Sequence, residues 1–237
     1  MSFDGLRVLL VGVGGLGCPA ALALAAAGVG SLALADDDEV DPSNLHRQIL
    51  YSEADVGSSK VRRAAAVLTK RYPRLRILEH ETRFLPHVAQ NLLREVDVVV
   101  EGADNFATKF LVADACARYQ KPVVHGAALR WQGTVLSVAG HRKPCYRCVF
   151  EDLPAGPAPN CADAGVMGPV CGVVGALMAE AALELVRSAK GGTFLSFDGK
   201  ALRLRSHQVL PRPSCPLCGL AAQEPSLDVS HYMGAPS

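Results

Sequence analysis

The run Gly12-Val13-Gly14-Gly15-Leu16-Gly17 stands where an apolar strand, Val8 to Val11, gives way to an alanine-rich helix. Glycines at 12, 14 and 17 fit the dinucleotide fingerprint: one for the tight turn, one for close approach of a phosphate, one for helix–strand packing. A helix starting near Gly15 aims its unpaired N–H groups and the positive end of its dipole at an anion. The chain should therefore open with a nucleotide site. The turn alone does not choose the nucleotide, because many unrelated enzymes share it.

Beyond the turn, strand and helix signals alternate. Leu32 to Ala35 reads as a second strand, Val56 to Tyr72 as a helix stopped by Pro73, and Leu75 to Leu78 as a strand. Pro86 to Arg94 suits a short helix, Val96 to Val100 a buried strand and Phe106 to Tyr119 a helix, with strands at Val123 to Ala127 and Gly133 to Val138. A long apolar helix from Val170 to Ala189 and a hairpin around Asp198-Gly199 complete the pattern. The expectation is an α/β, Rossmann-like, doubly wound, mostly parallel sheet with C-terminal antiparallel strands and ligands at the C-terminal strand ends. One domain should span 1–219, followed by a flexible tail, 220–237. Prolines 154, 157 and 159 predict a mobile loop within a crossover of about 151–168.

At 237 residues and 49% hydrophobic, the chain can bury a full core. A net charge of +1 argues against a nucleic-acid or membrane surface. The apolar stretch Pro169 to Ser188 carries Glu180 and Glu184, which suits a core helix better than lipid. No secretory signal opens the sequence, so a cytoplasmic protein is expected. Eight cysteines there point to metal or thiolate chemistry. Cys145-x-x-Cys148 and Cys215-x-x-Cys218 form a Cys₄ set for structural Zn²⁺, with a redox dithiol as the weaker alternative.

Asp36 ends the second strand at the place where a carboxylate accepts from ribose hydroxyls, or else serves as a turn residue. Asp38 either joins it or shapes the loop. Asn44-Leu45-His46-Arg47-Gln48 then leads to Lys60 at a helix start. A dinucleotide pyrophosphate is already satisfied by the helix end, so an added Arg and Lys make more sense for a triphosphate.

The runs Gly12 to Gly17, Asp36-x-Asp38, Ser43-Asn44-Leu45-x-Arg47-Gln48, Gly57-x-x-Lys60 and Asp104-Asn105 resemble, in order and spacing, the MoeB/ThiF/HesA family. These adenylyltransferases activate the C-terminal Gly-Gly end of ubiquitin-like sulfur carriers of the MoaD or ThiS type. The resemblance implies ATP over the glycine turn and Asp36 on the ribose. It also implies Asn44, Arg47 and Lys60 on the triphosphate, Asp104 on Mg²⁺, and zinc on Cys145, Cys148, Cys215 and Cys218. A hard oxygen ligand at a strand end suits Mg²⁺, although Asp104 would also serve as a helix cap, a job open to Asn105. Cys161, after the proline-rich loop, matches the place where some members use a cysteine to join the carrier or carry sulfur. The resemblance further implies a homodimer.

Cys18, Cys116 and Cys171 read as packing residues, His125 as a core histidine, and Trp131 as packing. His46 either touches nucleotide or acts as a spacer, and Arg130 faces the ligand edge. Family members carry an Arg-Tyr-x-Arg-Gln-like stretch ahead of the first strand, whereas Met1 to Gly5 precede it here. That charge then comes from a lost start or a partner, or activity is lower. No rhodanese-like extension follows the zinc cysteines, so a separate sulfur donor is expected. Two other readings compete. An NAD-dependent oxidoreductase shares the glycine turn but explains neither Arg47 and Lys60 nor the zinc cysteines. A non-catalytic scaffold for a ubiquitin-like protein keeps the fold but leaves the charged set without use.

Overall fold

The computed structural model describes residues 2–141, 143–154 and 165–232. Its centre is an eight-stranded sheet in the order β3-β2-β1-β4-β5-β6-β7-β8. β1 (Arg7–Val11), β2 (Ser31–Ala35), β3 (Arg76–His80), β4 (Val98–Glu101) and β5 (Val123–Leu129) run parallel. β6 (Gln132–Val138), β7 (Thr193–Asp198) and β8 (Arg203–Gln208) add antiparallel strands. The expected fold class is therefore the observed one. Strand order reverses between β1 and β4, and a crevice opens at such a switch point beyond the carboxyl ends of the strands.

Strand alternation builds two cores. Val8, Leu10, Leu32, Leu34, Val98 and Val100 face one side, under α1 (Gly17–Ala26), α2 (Lys60–Arg71) and the long helix α5 (Gly168–Ser188). Leu9, Val11, Ala33, Ala35 and Val99 face the other, under α3 (Pro86–Arg94) and α4 (Phe106–Arg118). α5 is long and apolar enough to cross a membrane by length and composition, but it packs against α1, β5 and β6 inside the fold. Glu180 and Glu184 sit on it as expected for a core helix with one wet edge.

Several boundaries differ from the sequence reading, each for a local reason. α2 begins at Lys60 rather than Val56, because Gly57 turns the chain at φ +78 and Ser59 caps the helix by accepting from the Arg62 N–H. β4 starts at Val98, since Asp97 is engaged with the Arg7 backbone and guanidinium; at its other end Glu101 pairs with Val11 and His125, so the strand runs on to it. His125 is the third residue of β5 and is buried, as a core histidine should be. The stretch after Gly219 is not a loose tail as far as Tyr232. That ring is buried, and its hydroxyl donates to Asp114 Oδ2 at 2.8 Å, with the Ser226 carbonyl 3.1 Å away. Most of the proline-rich crossover, with Cys161, lies outside the described residues.

Candidate active site

A cavity of about 400 Å³ fills the switch point. Its floor is the glycine turn, and the three glycines divide the labour foreseen for them. Gly12 takes φ +84, and a Cβ there would sit 3.2 Å from the Ala103 nitrogen. A Cβ on Gly17 would lie 2.0 Å from the Gly12 carbonyl oxygen, so only glycine lets α1 pack there. Gly14 and Gly15 line the open side. α1 starts at Gly17, slightly later than expected, and has no side-chain cap, so its N-terminal dipole faces the cavity unopposed.

Asp36 lies at the end of β2 with Oδ2 accepting from the Val13 N–H at 2.7 Å and Oδ1 from the Asp38 N–H at 2.9 Å. Burial pushes its pKa up against those two hydrogen bonds. Asp36 therefore ties the glycine turn to β2 and presents its remaining lone pairs to the cavity. Asp36, Asp37 and Asp38 also lie close enough to share a cation, but Asp38 has another task. Its carboxylate pairs with Lys60 Nζ at 2.7 Å. Lys60 is 4% exposed and occupies the first turn of α2, the positive end of a helix dipole, where a cation is unfavourable. A buried ammonium placed against its own helix is explained by an anion it serves.

Arg47 lines the cavity, and its guanidinium donates to Asn44 Oδ1 and, at 3.5 Å, to the Ser43 carbonyl. Asn44 is absent from the lining residues; it orients Arg47 from behind. His46 Nε2 lies 3.3 Å from the same guanidinium. Asp104 and Asn105 line the opposite wall, and Asn105 caps α4 by accepting from the Thr108 N–H at 2.9 Å. The cap thus falls to Asn105 and leaves the exposed Asp104 carboxylate for a ligand. A single carboxylate beside a phosphate site suits Mg²⁺, which keeps waters and phosphate oxygens for most of its shell.

The far end of the cavity is apolar, walled by Leu129, Phe150, Val166 and Phe194, with Tyr146 beside them. Tyr146 belongs to the cysteine knuckle. Cys145, Cys148, Cys215 and Cys218 place their sulfurs within 4.8 Å of one another, with Cys145–Cys215 at 3.5 Å and Cys148–Cys218 at 3.3 Å. A tetrahedron with Zn–S near 2.3 Å has edges of about 3.8 Å, so the cluster fits the metal. Burial opposes ionisation of Cys215, yet the N–H groups of Leu217 and Cys218 and the neighbouring thiols outweigh it and bring the pKa down to about 7. Cys145 is pushed up by burial and by its neighbours.

Cys18 and Cys116 are buried packing residues; burial drives Cys18 up to about 12 and Cys116 upward as well. Cys171 is buried too, but it reaches the cavity lining beside Gly15. Trp131 packs against the core as expected. Arg130 sits at φ +52 in the β5–β6 turn, where its backbone bridges to Val166.

Glu101 and Lys109 were missed in the sequence, and Gln48, though part of the Ser43–Gln48 motif, was given no role there. Gln48 is buried at the cavity with Oε1 lacking a partner among the described atoms. Glu101 is wholly buried and pairs with Lys109 and His125. A glutamate closing a valine run, with a lysine one turn into the next helix, was the available signal.

The pattern of the ThiF family matches residues 3–217. Across 228 residues the chain is 42% identical to the Anopheles gambiae protein named adenylyltransferase and sulfurtransferase MOCS3, covering 93% of this chain and 50% of that one. The Dictyostelium discoideum protein of the same name is 38% identical over 225 residues, with 92% and 53% covered. The chain thus spans about half the length of the curated relatives it matches. Among solved structures, E. coli MccB with ATP superimposes at a TM-score of 0.76 with 22% identity, over 92% of this chain and 68% of that one. At that identity the likeness speaks for the fold. Matched along nearly its whole length, and at about two residues in five with such relatives, the chain belongs to the ThiF family.

Proposed function

We propose that this chain is an ATP-dependent adenylyltransferase acting on the C-terminal glycine of a ubiquitin-like sulfur carrier of the MoaD or ThiS type. The observation that carries the reading is Lys60. It is a buried cation held at a helix N-terminus by an exposed carboxylate, on a cavity floored by a glycine turn. Exchange of Asp38 for a phosphate would satisfy both the ammonium and the uncapped dipole of α1. The names of the MOCS3 relatives support adenylyl transfer.

In this reading ATP lies over the turn with its ribose against Asp36. The carrier carboxylate attacks the α-phosphorus; the new C–O–P bond forms as the bond to pyrophosphate breaks. Arg47 and Lys60 neutralise the charge that builds on the leaving group, and the apolar end of the cavity excludes water. Asp104 would hold Mg²⁺, which supplies further neutralisation when bound. The four cysteines would hold Zn²⁺ in a closed, structural role, joining the chain near Cys145 to that near Cys215. Cys161, a separate sulfur donor, a homodimer and a cytoplasmic setting belong to the same reading.

Carrier, ATP and magnesium incubated with the protein should yield a carrier heavier by one AMP, and labelled pyrophosphate should exchange into ATP only with carrier present. Exchange at background with a panel of MoaD- and ThiS-type carriers would refute the adenylyl-transfer reading. ATP should also bind in preference to NAD by calorimetry; the reverse order would favour the oxidoreductase.

A further inference from the structure

Glu101 and Lys109 form the most deeply buried lysine–carboxylate pair among the described residues, and nothing in the triphosphate grip uses them. Lys109 Nζ stands 3.1 Å from both Glu101 oxygens and 2.5 Å from the Gly126 carbonyl. His125 Nδ1 lies 3.0 Å from Glu101 Oε2. Complete burial works against the Glu101 carboxylate, yet Lys109 and His125 outweigh it and keep its pKa below the ordinary value. Burial also keeps His125 low, so the imidazole is neutral. Its Nδ1–H then donates to Glu101, while Nε2 has no protein partner among the described residues. Tyr146, from the cysteine knuckle, packs at a tilt against the imidazole, ring centroids 4.5 Å apart.

Such a pair is a poor way to gain stability, since well-packed apolar residues often do as well or better. What it does gain is a fixed turn. Glu101 Oε1 accepts from the Ala103 N–H at 2.6 Å, while on the other side Asn105 is held by its cap to Thr108. Asp104 hangs between these two anchors. Gly102 and Ala103 in turn abut Gly12, where a Cβ would come within 3.2 Å of both. Any slip of this turn would therefore reach the glycine floor.

We infer that Glu101, braced by Lys109 and His125, is the positioning group that sets the Gly102–Asp104 turn and so the direction of the Asp104 carboxylate. The inference rests on reading Asp104 as the magnesium ligand. Its test compares ATP binding with magnesium and in EDTA, by calorimetry, for the wild type, Glu101→Gln, Lys109→Met and Lys109→Arg, with thermal melts of each. The two disruptive variants should lose about tenfold in affinity for ATP with magnesium, about 1.4 kcal/mol, and change less than about twofold in EDTA. Lys109→Arg, which keeps the ion pair, should recover most of the loss. Disruptive variants that melt cooperatively yet gain as much from magnesium as the wild type would overturn the inference.

Should those variants fail to fold, amide exchange of Ala103 in the wild-type protein decides. Protection comparable to the β4 amides supports the anchor, and exchange as fast as an exposed loop overturns it. Wild-type protein that binds ATP equally well in EDTA would defeat the magnesium role of Asp104 by itself, leaving Ala103 exchange to decide on the anchor.

Discussion

Two buried lysines line the same cavity from opposite sides, and they differ in the carboxylate that holds each. Lys60 is paired with Asp38, whose side chain is 59% exposed; Lys109 is paired with Glu101, which is 0% exposed. An ion pair with one water-facing partner is worth little and can be exchanged, because the released carboxylate returns to solvent. A pair sealed on both sides cannot part without stranding a charge in a low-dielectric interior. On the proposed reading, the Lys60 side is accordingly the movable half of the site, the one that handles the ligand. The Lys109 side is its fixed frame.

The most severe way to break this contrast is to loosen the wall that Tyr146 forms on the Lys109 side. Cys215→Ser should release zinc, read by elemental analysis, with a loss of folding free energy on the order of 10 kcal/mol if the metal is structural. Retained zinc at full stoichiometry would contradict the Cys₄ assignment. Next in size, Lys109→Met should lower unfolding free energy by about 3–5 kcal/mol in denaturant titrations, because buried Glu101 loses its counter-charge. Lys60→Met should do the opposite. Carrier-dependent pyrophosphate exchange should drop on the order of 10²-fold, while unfolding free energy stays within about 1 kcal/mol of wild type. Equal stability losses in the two lysine variants would erase the distinction.

The smallest effect is on pH dependence. Burial depresses the folded pKa of His125 below its unfolded value of 6.5. Between those two values the unfolded chain binds a proton that the folded one refuses, so stability falls as pH drops below 6.5 and is level above it. The His125 share of the slope is at most about 1.4 kcal/mol per pH unit. His125→Gln should remove that share, seen as a flatter stability curve between pH 7 and 5 than that of wild type.

The movable half was legible in the sequence and much of the frame was not, for a physical reason. Gly12 and Gly17 announce their turn because a side chain is excluded there, and paired Cys-x-x-Cys runs announce a cluster by chemistry alone. Lys60 stood out because, together with Arg47, it adds positive charge that a dinucleotide pyrophosphate does not need. Glu101, Lys109 and His125 come from β4, α4 and β5, and only the sheet register brings them together. Tyr232 was missed similarly: one aromatic in a polar tail gives no periodicity, and its partner Asp114 is distant in sequence. Asn44 fell between these cases, visible in the motif but absent from the cavity lining, where its partner Arg47 stands.

A structure with a non-hydrolysable ATP analogue and magnesium would test the central contrast most directly. Lys60 Nζ should leave Asp38 for the phosphates, while Lys109 stays on Glu101 and Asp104 meets the ion. Lys60 still paired with Asp38 and the phosphates bound elsewhere would contradict it.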